Sequence, residues 1–185
     1  MKSDVFVSVD VEADGPIPGD YSMISIGCAV VERDDLTFYR ELKPISDKFL
    51  PDALAVSGLS REKLVAEGAS PETAMRELTA WLLKVCPSGK PVFVAFNASF
   101  DWMFVNWYFI HFVGVNPFGI SGLDIKAYYM GALGKPRWSD TSKRNFDPRF
   151  LSKSPHTHHA LDDAREQAEI FARLRRFAEK ENAGR

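Results

Sequence analysis

The first 42 residues contain three segments rich in β-branched residues, and this run of strands is the strongest constraint on the fold. Residues 4–10, 23–31 and 37–42 are the predicted strands. A turn-rich loop at 14–20 follows the first strand, and residues 33–35 are predicted as the hairpin turn between the second and the third. Strands joined in this way pair in opposite directions, so we expect an antiparallel meander.

Helical patterns and apolar strands follow the meander. Hydrophobic spacing predicts two short helical pieces within 51–64, a helix that begins at Pro71 and ends by Pro87, further helices at 99–112, 126–133 and about 159–180, and strands at 91–96 and 120–125. Ser60 and Ser70 are expected to cap the helices that follow them. Residues 135–155 are polar, basic and rich in turns, which predicts a long loop beside a functional site.

Length and composition indicate one soluble globular domain spanning residues 1–185. Cys28 and Cys86 form no CxxC pair, and a disulfide between them stays open, but a reduced, cytoplasmic setting is expected. Asp4 stands where a signal peptide would be basic, and no apolar run approaches transmembrane length. We therefore expect neither an export signal nor a membrane partner.

The charge is small overall but unevenly distributed. The formal net charge is −2; residues 1–134 carry 11 basic and 17 acidic residues, and residues 135–185 carry 12 and 8. An acidic front beside a basic back segment is compatible with metal-binding carboxylates next to a phosphate-binding surface. A solvated basic helix at the C-terminal end is the alternative.

Acidic residues fall at three places where secondary structure begins or ends. Asp10 and Glu12 lie two apart on the first strand, so they project to the same face, where a hard divalent cation would neutralise them. Asp101 lies four residues beyond Asn97, at the point where an apolar strand gives way to a helix. A solvated strand end for the first pair and helix capping for the second segment are the alternatives.

The third place is the start of the last helix. Asp162 and Asp163 lie in its first turn, where the helix dipole alone would favour them. His158 comes just before, and a neutral histidine can take a proton from water near neutral pH. The neighbouring His156 and His159 leave open a cluster that binds a soft metal, although no cysteine lies nearby.

At these residues the sequence resembles the DEDDh family of 3′-to-5′ exonucleases, which includes the proofreading subunits of bacterial replicative polymerases, ribonuclease T and oligoribonuclease. The family pattern is Asp-x-Glu at the end of the first strand, an Asp shortly after an Asn or His that follows an apolar strand, and His-x4-Asp before the last helix. The matching residues are Asp10 and Glu12, Asn97 and Asp101, and His158 and Asp163, with similar flanks at 24–27, 56–59 and 160–164. The spacing selects His158 over His159 and leaves Asp162 as a cap or surface residue.

The resemblance implies an α/β fold of the ribonuclease-H-like type: a mixed five-stranded sheet, its first three strands antiparallel, with helices on both faces. It also implies phosphodiester hydrolysis with two Mg²⁺ or Mn²⁺ ions. Asp10, Glu12 and Asp163 would hold the ion that activates water, and Asp10 would bridge to a second ion supported by Asp101. His158 would be the general base. The product would be a nucleoside 5′-monophosphate released from the free 3′ end of single-stranded DNA or RNA.

Further positions are candidates for contact with the substrate. Ala13 and Asn97 flank the acidic motifs, and Ala13 stands where many family members have a threonine or methionine near the terminal nucleotide. Met23 and Phe100 are candidate stacking or wedge residues, with core packing as the alternative for Phe100. Basic side chains of the long loop are expected to follow the phosphate backbone: Lys143, Arg144, Arg149 and Lys153.

The helix at 99–112 is apolar nearly all round. Such a helix lies deep in the core or is half covered by a partner, so core packing and a homodimer face, as in some family members, are both expected. Two other functions stay open. One is a non-catalytic module that binds nucleic acid and retains the fold, and the other is a scaffolding domain whose carboxylates are ordinary surface groups.

Overall fold

A computed structural model of the chain describes residues 4–152 and 157–184. Its centre is one five-stranded sheet in the order β3-β2-β1-β4-β5. The strands are β1 (Asp4–Ala13), β2 (Met23–Val30), β3 (Arg33–Glu41), β4 (Lys90–Ala95) and β5 (Gly122–Asp124). β2 pairs antiparallel with β1 and β3, whereas β4 pairs parallel with β1 and β5. The expected mixed sheet with an antiparallel first half is confirmed.

Six α-helices cover the two faces of this sheet. They are α1 (Pro51–Ser57), α2 (Arg61–Glu67), α3 (Pro71–Val85), α4 (Ser99–Phe112), α5 (Ile125–Ala132) and α6 (Ala160–Ala183). One core cluster joins β1 and β2 to α3 and α4, and the other joins β4 to α5 and α6. Ser60 and Ser70 cap α2 and α3, as predicted. In the described part of the chain, no helix is both long and apolar enough to span a membrane.

The turn between β2 and β3 differs from the prediction. Val30 pairs with Arg33, so Val31 and Glu32 make the turn, and residues 33–35 belong to β3. Glu32 has φ +65°, a left-handed conformation that a tight hairpin requires. The charged run at 33–35 resembles a turn in sequence because nothing buries it, and a strand at the edge of the sheet tolerates such residues.

Helix α4 packs most of its aromatic surface into the core. Phe104, Val105, Tyr108 and Phe109 are buried against β1 and β2, and the Tyr108 hydroxyl accepts a hydrogen bond from the Met23 N–H at 2.7 Å. The outer face of the helix keeps exposed apolar surface, with Ile110 53% exposed. Core packing therefore accounts for the inner face, and a homodimer on the outer face stays a prediction.

Gly27 on β2 allows the N-terminus of α6 to lie directly on the sheet. A β-carbon at Gly27 would overlap the backbone of Ala160 and Leu161. Ala160 itself is fully buried. β1 and β2 are neighbours in the sheet. The small residues Gly27 and Ala160 therefore also set how closely α6 approaches β1, the strand that carries Asp10.

The Gly27→Ala variant is expected to unfold at lower denaturant concentration than the wild type. The added methyl group must displace the first turn of α6, and overpacking of this kind costs about 1–3 kcal/mol. Urea unfolding measures the loss. Gly131→Ala is the matched control: no atom lies within 4 Å of the added methyl group in α5, so stability should stay or rise. Equal losses in both variants would contradict the role given to Gly27.

Candidate active site

Four carboxylates and one histidine from three separate segments line a single cavity of about 220 Å³. The alternation of β1 places Asp10 and Glu12 on the face opposite the core residues Val9 and Val11. The other lining residues come from the end of β4, from α4 and from the approach to α6: Phe96, Asn97, Phe100, Asp101, His158 and Asp163, together with the backbone of Val11. This set is called the acidic cavity below. It brings together every residue of the three sequence motifs.

Hydrogen bonds fix two of the carboxylates from their helix ends. The Val11 N–H donates to Asp101 Oδ1 at 3.0 Å, which ties the first turn of α4 to β1 between Asp10 and Glu12. The Thr157 N–H donates to Asp163 Oδ1 at 3.1 Å, which ties the segment before α6 to its first turn. Both acids are buried. Their orientation is therefore set by the fold.

The two neighbouring histidines face different surroundings. His158 lines the acidic cavity, and it, Glu12 and Asp163 each offer a ligand atom within 4.8 Å of the others. The His159 ring stacks on Tyr39 of β3, with ring centroids 4.5 Å apart. His158 has a left-handed backbone conformation, with φ +56°. Its side chain therefore turns away from the side chain of His159. The spacing argument for His158 agrees with this geometry, while His156 lies outside the described residues.

Asp162 lies outside the acidic cavity. Asp162 is exposed and lies near Arg165 at 3.6 Å, in agreement with its assignment to the surface. The hypothesis of a soft-metal site in the histidine run includes His156 and stays untested, while among the described residues the group with metal-like spacing combines His158 with two carboxylates. Cys28 and Cys86 are both buried and free.

Burial and mutual repulsion raise the pKa values of the clustered acids. Burial is the largest cause for Asp10, whose pKa lies well above its ordinary range, and the charges of Asp101, Glu12 and Asp163 add to it. The same causes raise the pKa of Glu12 to about 8, and burial raises the pKa of Asp101 to about 7. Oxygen ligands that repel one another are what a hard divalent cation neutralises, so the residues fit Mg²⁺ or Mn²⁺.

The metal-free protein is expected to lose stability as pH rises from about 4.5 to about 8. A carboxyl whose pKa is raised in the folded state favours folding while protonated, and this contribution disappears between its ordinary pKa and its folded pKa: from 3.8 to about 7 for Asp101, and from 4.5 to about 8 for Glu12. The loss should exceed about 1.4 kcal/mol, the equivalent of one pKa unit. Urea unfolding in EDTA at several pH values measures it.

Asp101→Asn is the control for that pH dependence, because an amide does not titrate and its oxygen can still accept the Val11 hydrogen bond. The variant should show a shallower fall in stability across the same pH range. Saturating Mg²⁺ should flatten the wild-type curve as well. Identical curves for wild type and variant would contradict the raised pKa of Asp101.

Gln167 is a residue of the site that the motif analysis missed. It lies one helical turn beyond Asp163 on α6 and is buried. Its Nε2 donates to Asp10 Oδ1 at 2.6 Å, and its Oε1 accepts from the Phe96 N–H at 2.8 Å. The amide thus connects α6, β1 and the end of β4 through both of its polar ends. The i, i+4 spacing from Asp163 was the only sequence signal for it.

Gln167→Leu is expected to weaken Mn²⁺ binding by about 10–100-fold, the usual cost of removing a hydrogen bond that orients a metal ligand. The concentration of Mn²⁺ needed for half-maximal activity should rise by the same factor, while kcat at saturating Mn²⁺ changes little. Calorimetry gives the binding constant directly. Arg165→Ala, an exposed change on the same helix, is the control. Unchanged Mn²⁺ affinity in Gln167→Leu would contradict a positioning role.

Four of the residues predicted to contact the substrate lie in two different settings. Asn97 and Phe100 line the acidic cavity, Asn97 exposed with φ +66° and Phe100 half-buried. Met23 is fully buried in the core, so the prediction that its side chain stacks on a base is wrong: the pairing of β2 with β1 turns it inward. The side chain of Ala13 is also in the core, which leaves its backbone for any contact.

Some basic side chains of the long loop already make contacts within the protein. Lys143 Nζ lies 2.7 Å from Glu166 and 5.4 Å from the centre of the Phe96 ring, at the edge of the acidic cavity. Arg149 pairs with Asp147 at 2.6 Å. Arg144 is exposed, and Lys153 lies outside the described residues. Contact of Lys143 and Arg144 with the phosphate backbone stays a prediction.

The sheet order and the acidic cavity together define a ribonuclease-H-like nuclease. A family model described as an exonuclease, RNase T, matches residues 7–171. The chain is 45% identical to the 3′-5′ DNA exonuclease Cap18 of Escherichia coli, over all of both chains. The chain belongs to this exonuclease family, and it is a 3′-to-5′ exonuclease.

Solved structures with lower identity share the fold. The nuclease domain of 3′hExo, a DEDDh family member bound to rAMP, superposes with a TM-score of 0.73 at 18% identity, covering 95% of this chain and 94% of that one. Pop2p of S. pombe, in a form with Mg²⁺ and Mn²⁺ bound, superposes with a TM-score of 0.65 at 17% identity, covering 92% and 82%. These likenesses confirm the ribonuclease-H-like architecture.

Proposed function

We propose that this exonuclease uses two divalent ions and a histidine base to release nucleoside 5′-monophosphates from the 3′ end of single-stranded nucleic acid, with DNA as the first candidate. The observation that carries the proposal is the meeting of Asp10, Glu12, Asp101, His158 and Asp163 around one cavity. The name of the relative from Escherichia coli supports DNA.

The carboxylates would form two sets of metal ligands, and the sets share Asp10. Asp10, Glu12 and Asp163 would hold one ion, and Asp10 and Asp101 would hold the second, directly or through water. When bound, such ions lower the pKa of a water molecule and stabilise the charge on the leaving oxygen. Mg²⁺ and Mn²⁺ are both candidates, because both suit carboxylate oxygens and both are present in the Pop2p structure.

His158 supplies the general base. Its imidazole takes one proton from the attacking water, the oxygen of that water bonds to phosphorus, and the bond from phosphorus to the 3′-oxygen of the preceding nucleotide breaks. That 3′-oxygen takes a proton from solvent and becomes the new 3′-hydroxyl. The exposed ring can then pass its proton to solvent.

The proposed substrate is an unpaired end, because the phosphate of the terminal nucleotide has to reach the carboxylates that line the acidic cavity. Phe100, half-buried at the wall, is the candidate to pack on the terminal base or sugar. A duplex end would first have to open, which costs unpairing and unstacking energy.

The test uses 5′-labelled oligonucleotides in Mg²⁺ or EDTA. Matched single-stranded DNA, single-stranded RNA, duplex DNA and a dinucleotide are compared under one buffer. We expect ladders that shorten from the 3′ end, mononucleotide release only with metal, and faster cleavage of single strands than of the duplex. Binding of the strands without any metal-dependent release would favour the non-catalytic module instead.

A homodimer through the outer face of α4 is a second part of the proposal. Met103, Trp107, Ile110 and His111 form a shallow apolar surface there together with Pro18. Light scattering coupled to gel filtration should give twice the chain mass, and Ile110→Glu should give the mass of one chain. A wild-type protein that elutes as a monomer at all concentrations would contradict this part alone.

A further inference from the structure

A second depression lies directly beside the acidic cavity, on the β5 side. It has a volume of about 340 Å³ and shares Asn97 with the acidic cavity. Its walls come from the start of α4, from β5, from α5 and from the long loop: Asn97, Ala98, Ser99, Trp102, Gly122, Asp124, Ala127 and Trp138. It is called the Trp138 groove below. Nothing in the three motifs of the sequence pointed to it.

An exposed aromatic ring and an ammonium group meet at this groove. Trp138 is 51% exposed at the start of a short 3₁₀ turn, Trp138–Thr141. Lys126 Nζ lies 4.3 Å from the centre of the Trp138 ring and 3.4 Å from Asn97 Oδ1. The lysine therefore bridges the aromatic wall and the rim of the acidic cavity. Single-stranded nucleic acid is gripped by this pairing of a stacking ring with a cation.

The groove is held in shape by its own contacts. Asp124 accepts hydrogen bonds from the Ala98 N–H at 2.6 Å and from the Ala127 N–H at 2.7 Å, which ties the segment after β4 to the start of α5. The Thr141 hydroxyl donates to the Trp138 carbonyl at 2.7 Å and closes the turn that presents the ring. A preorganised site binds its ligand with a smaller entropic cost than a flexible site does.

We propose that the Trp138 groove is the subsite for the nucleotide next to the 3′ terminus: Trp138 stacks on its base, and Lys126 contacts a phosphate of the strand. This rests on the proposed function. The terminal nucleotide has to fill the acidic cavity so that its phosphate lies over the carboxylates. The next nucleotide must therefore leave across the rim, and Asn97 is the rim residue that both sites share.

The experiment combines Trp138→Ala with an abasic site in a single-stranded oligonucleotide. In the wild type, removing the base next to the terminal one should raise KM about tenfold, the size expected for one lost base-aromatic stack. Trp138→Ala should raise KM by the same factor on the intact strand and show no further rise on the abasic strand. Two changes that remove one shared contact are not additive, whereas independent changes are. Trp138→Phe should keep most of the wild-type KM.

A substrate without a second base separates this subsite from the catalytic site. The phosphodiester of thymidine 5′-monophosphate with the 3′-oxygen of an abasic deoxyribose places a base in the acidic cavity only, so wild type and Trp138→Ala should hydrolyse it equally. Equal damage to this ester and to the oligonucleotide would overturn the subsite, as would an undiminished abasic penalty in Trp138→Ala. A wild type that hydrolyses neither substrate would instead overturn the proposed function.

Lys126→Gln tests the phosphate contact separately. The slope of log kcat/KM against log salt concentration should become shallower by about 0.7, the value for one phosphate contact to a single strand. Lys84→Gln, an exposed change near the end of α3, is the control and should leave the slope unchanged. An unchanged slope in Lys126→Gln would overturn the assignment of this lysine.

Discussion

Asp10→Asn is expected to abolish nucleotide release while making the metal-free protein more stable. Asp10 is the acid on which the charges of Asp101, Glu12 and Asp163 all act, so its neutral form is the one that the metal-free fold prefers. An asparagine supplies that neutral form, and its oxygen can still accept the Gln167 hydrogen bond. A carboxylate that would hold both proposed cations is lost at the same time.

The expected loss of rate follows from the transition-state stabilisation that we assign to the metal ions. Metal ions contribute several kcal/mol of transition-state stabilisation, and a loss of about 4 kcal/mol lowers the rate about 10³-fold. Three measurements belong together: the single-turnover rate on single-stranded DNA, Mn²⁺ binding by calorimetry, and the urea midpoint in EDTA. The first two should fall and the third should rise.

Asp162→Asn is the matched control for this variant. Asp162 is an exposed acid next to Asp163 in sequence, and its side chain lies outside the acidic cavity. Its replacement should change neither the rate nor Mn²⁺ binding beyond experimental error. Full activity in Asp10→Asn would contradict the proposed mechanism. A urea midpoint in EDTA below that of the wild type in the same variant would contradict the electrostatic account of the cavity.

His158→Asn should lower the single-turnover rate by about 10²–10⁴-fold, the usual contribution of a general base. Asparagine is the right replacement because it tolerates the left-handed backbone of residue 158 better than alanine does. Mn²⁺ binding should survive, since three carboxylates remain around the ion.

The neighbouring histidine provides the control. His159→Asn removes a ring that stacks on Tyr39 outside the acidic cavity, so it should leave the rate near that of the wild type. If His158→Asn abolished Mn²⁺ binding, the ring would be a metal ligand, an arrangement that its distance to Glu12 and Asp163 also allows. A large loss in His159→Asn with none in His158→Asn would refute the assignment of the base.

Local elements were predictable where a short stretch of sequence determines the outcome. The Ser70-Pro71 start of α3, the bounds of α4 and the buried strand β4 follow from capping chemistry and hydrophobic period, and the structure confirms them. The turn at Val31 and Glu32 was missed, because a glutamate carries no sign that its backbone will be left-handed. Edge-strand residues 33–35 looked like a turn for the same local reason.

The sequence by itself determined the order of the elements and the three acidic motifs, because spacing along one strand or helix sets which side chains share a face. The resemblance to the exonuclease motif selected His158 over His159. Only the tertiary structure decided what meets across elements. The convergence on one cavity, the burial of Met23, the contact between Gln167 and Asp10 and the groove beside Trp138 all join residues far apart in the chain. The physical reason is that such contacts depend on how closely helices approach the sheet, which Gly27 and Ala160 set through packing.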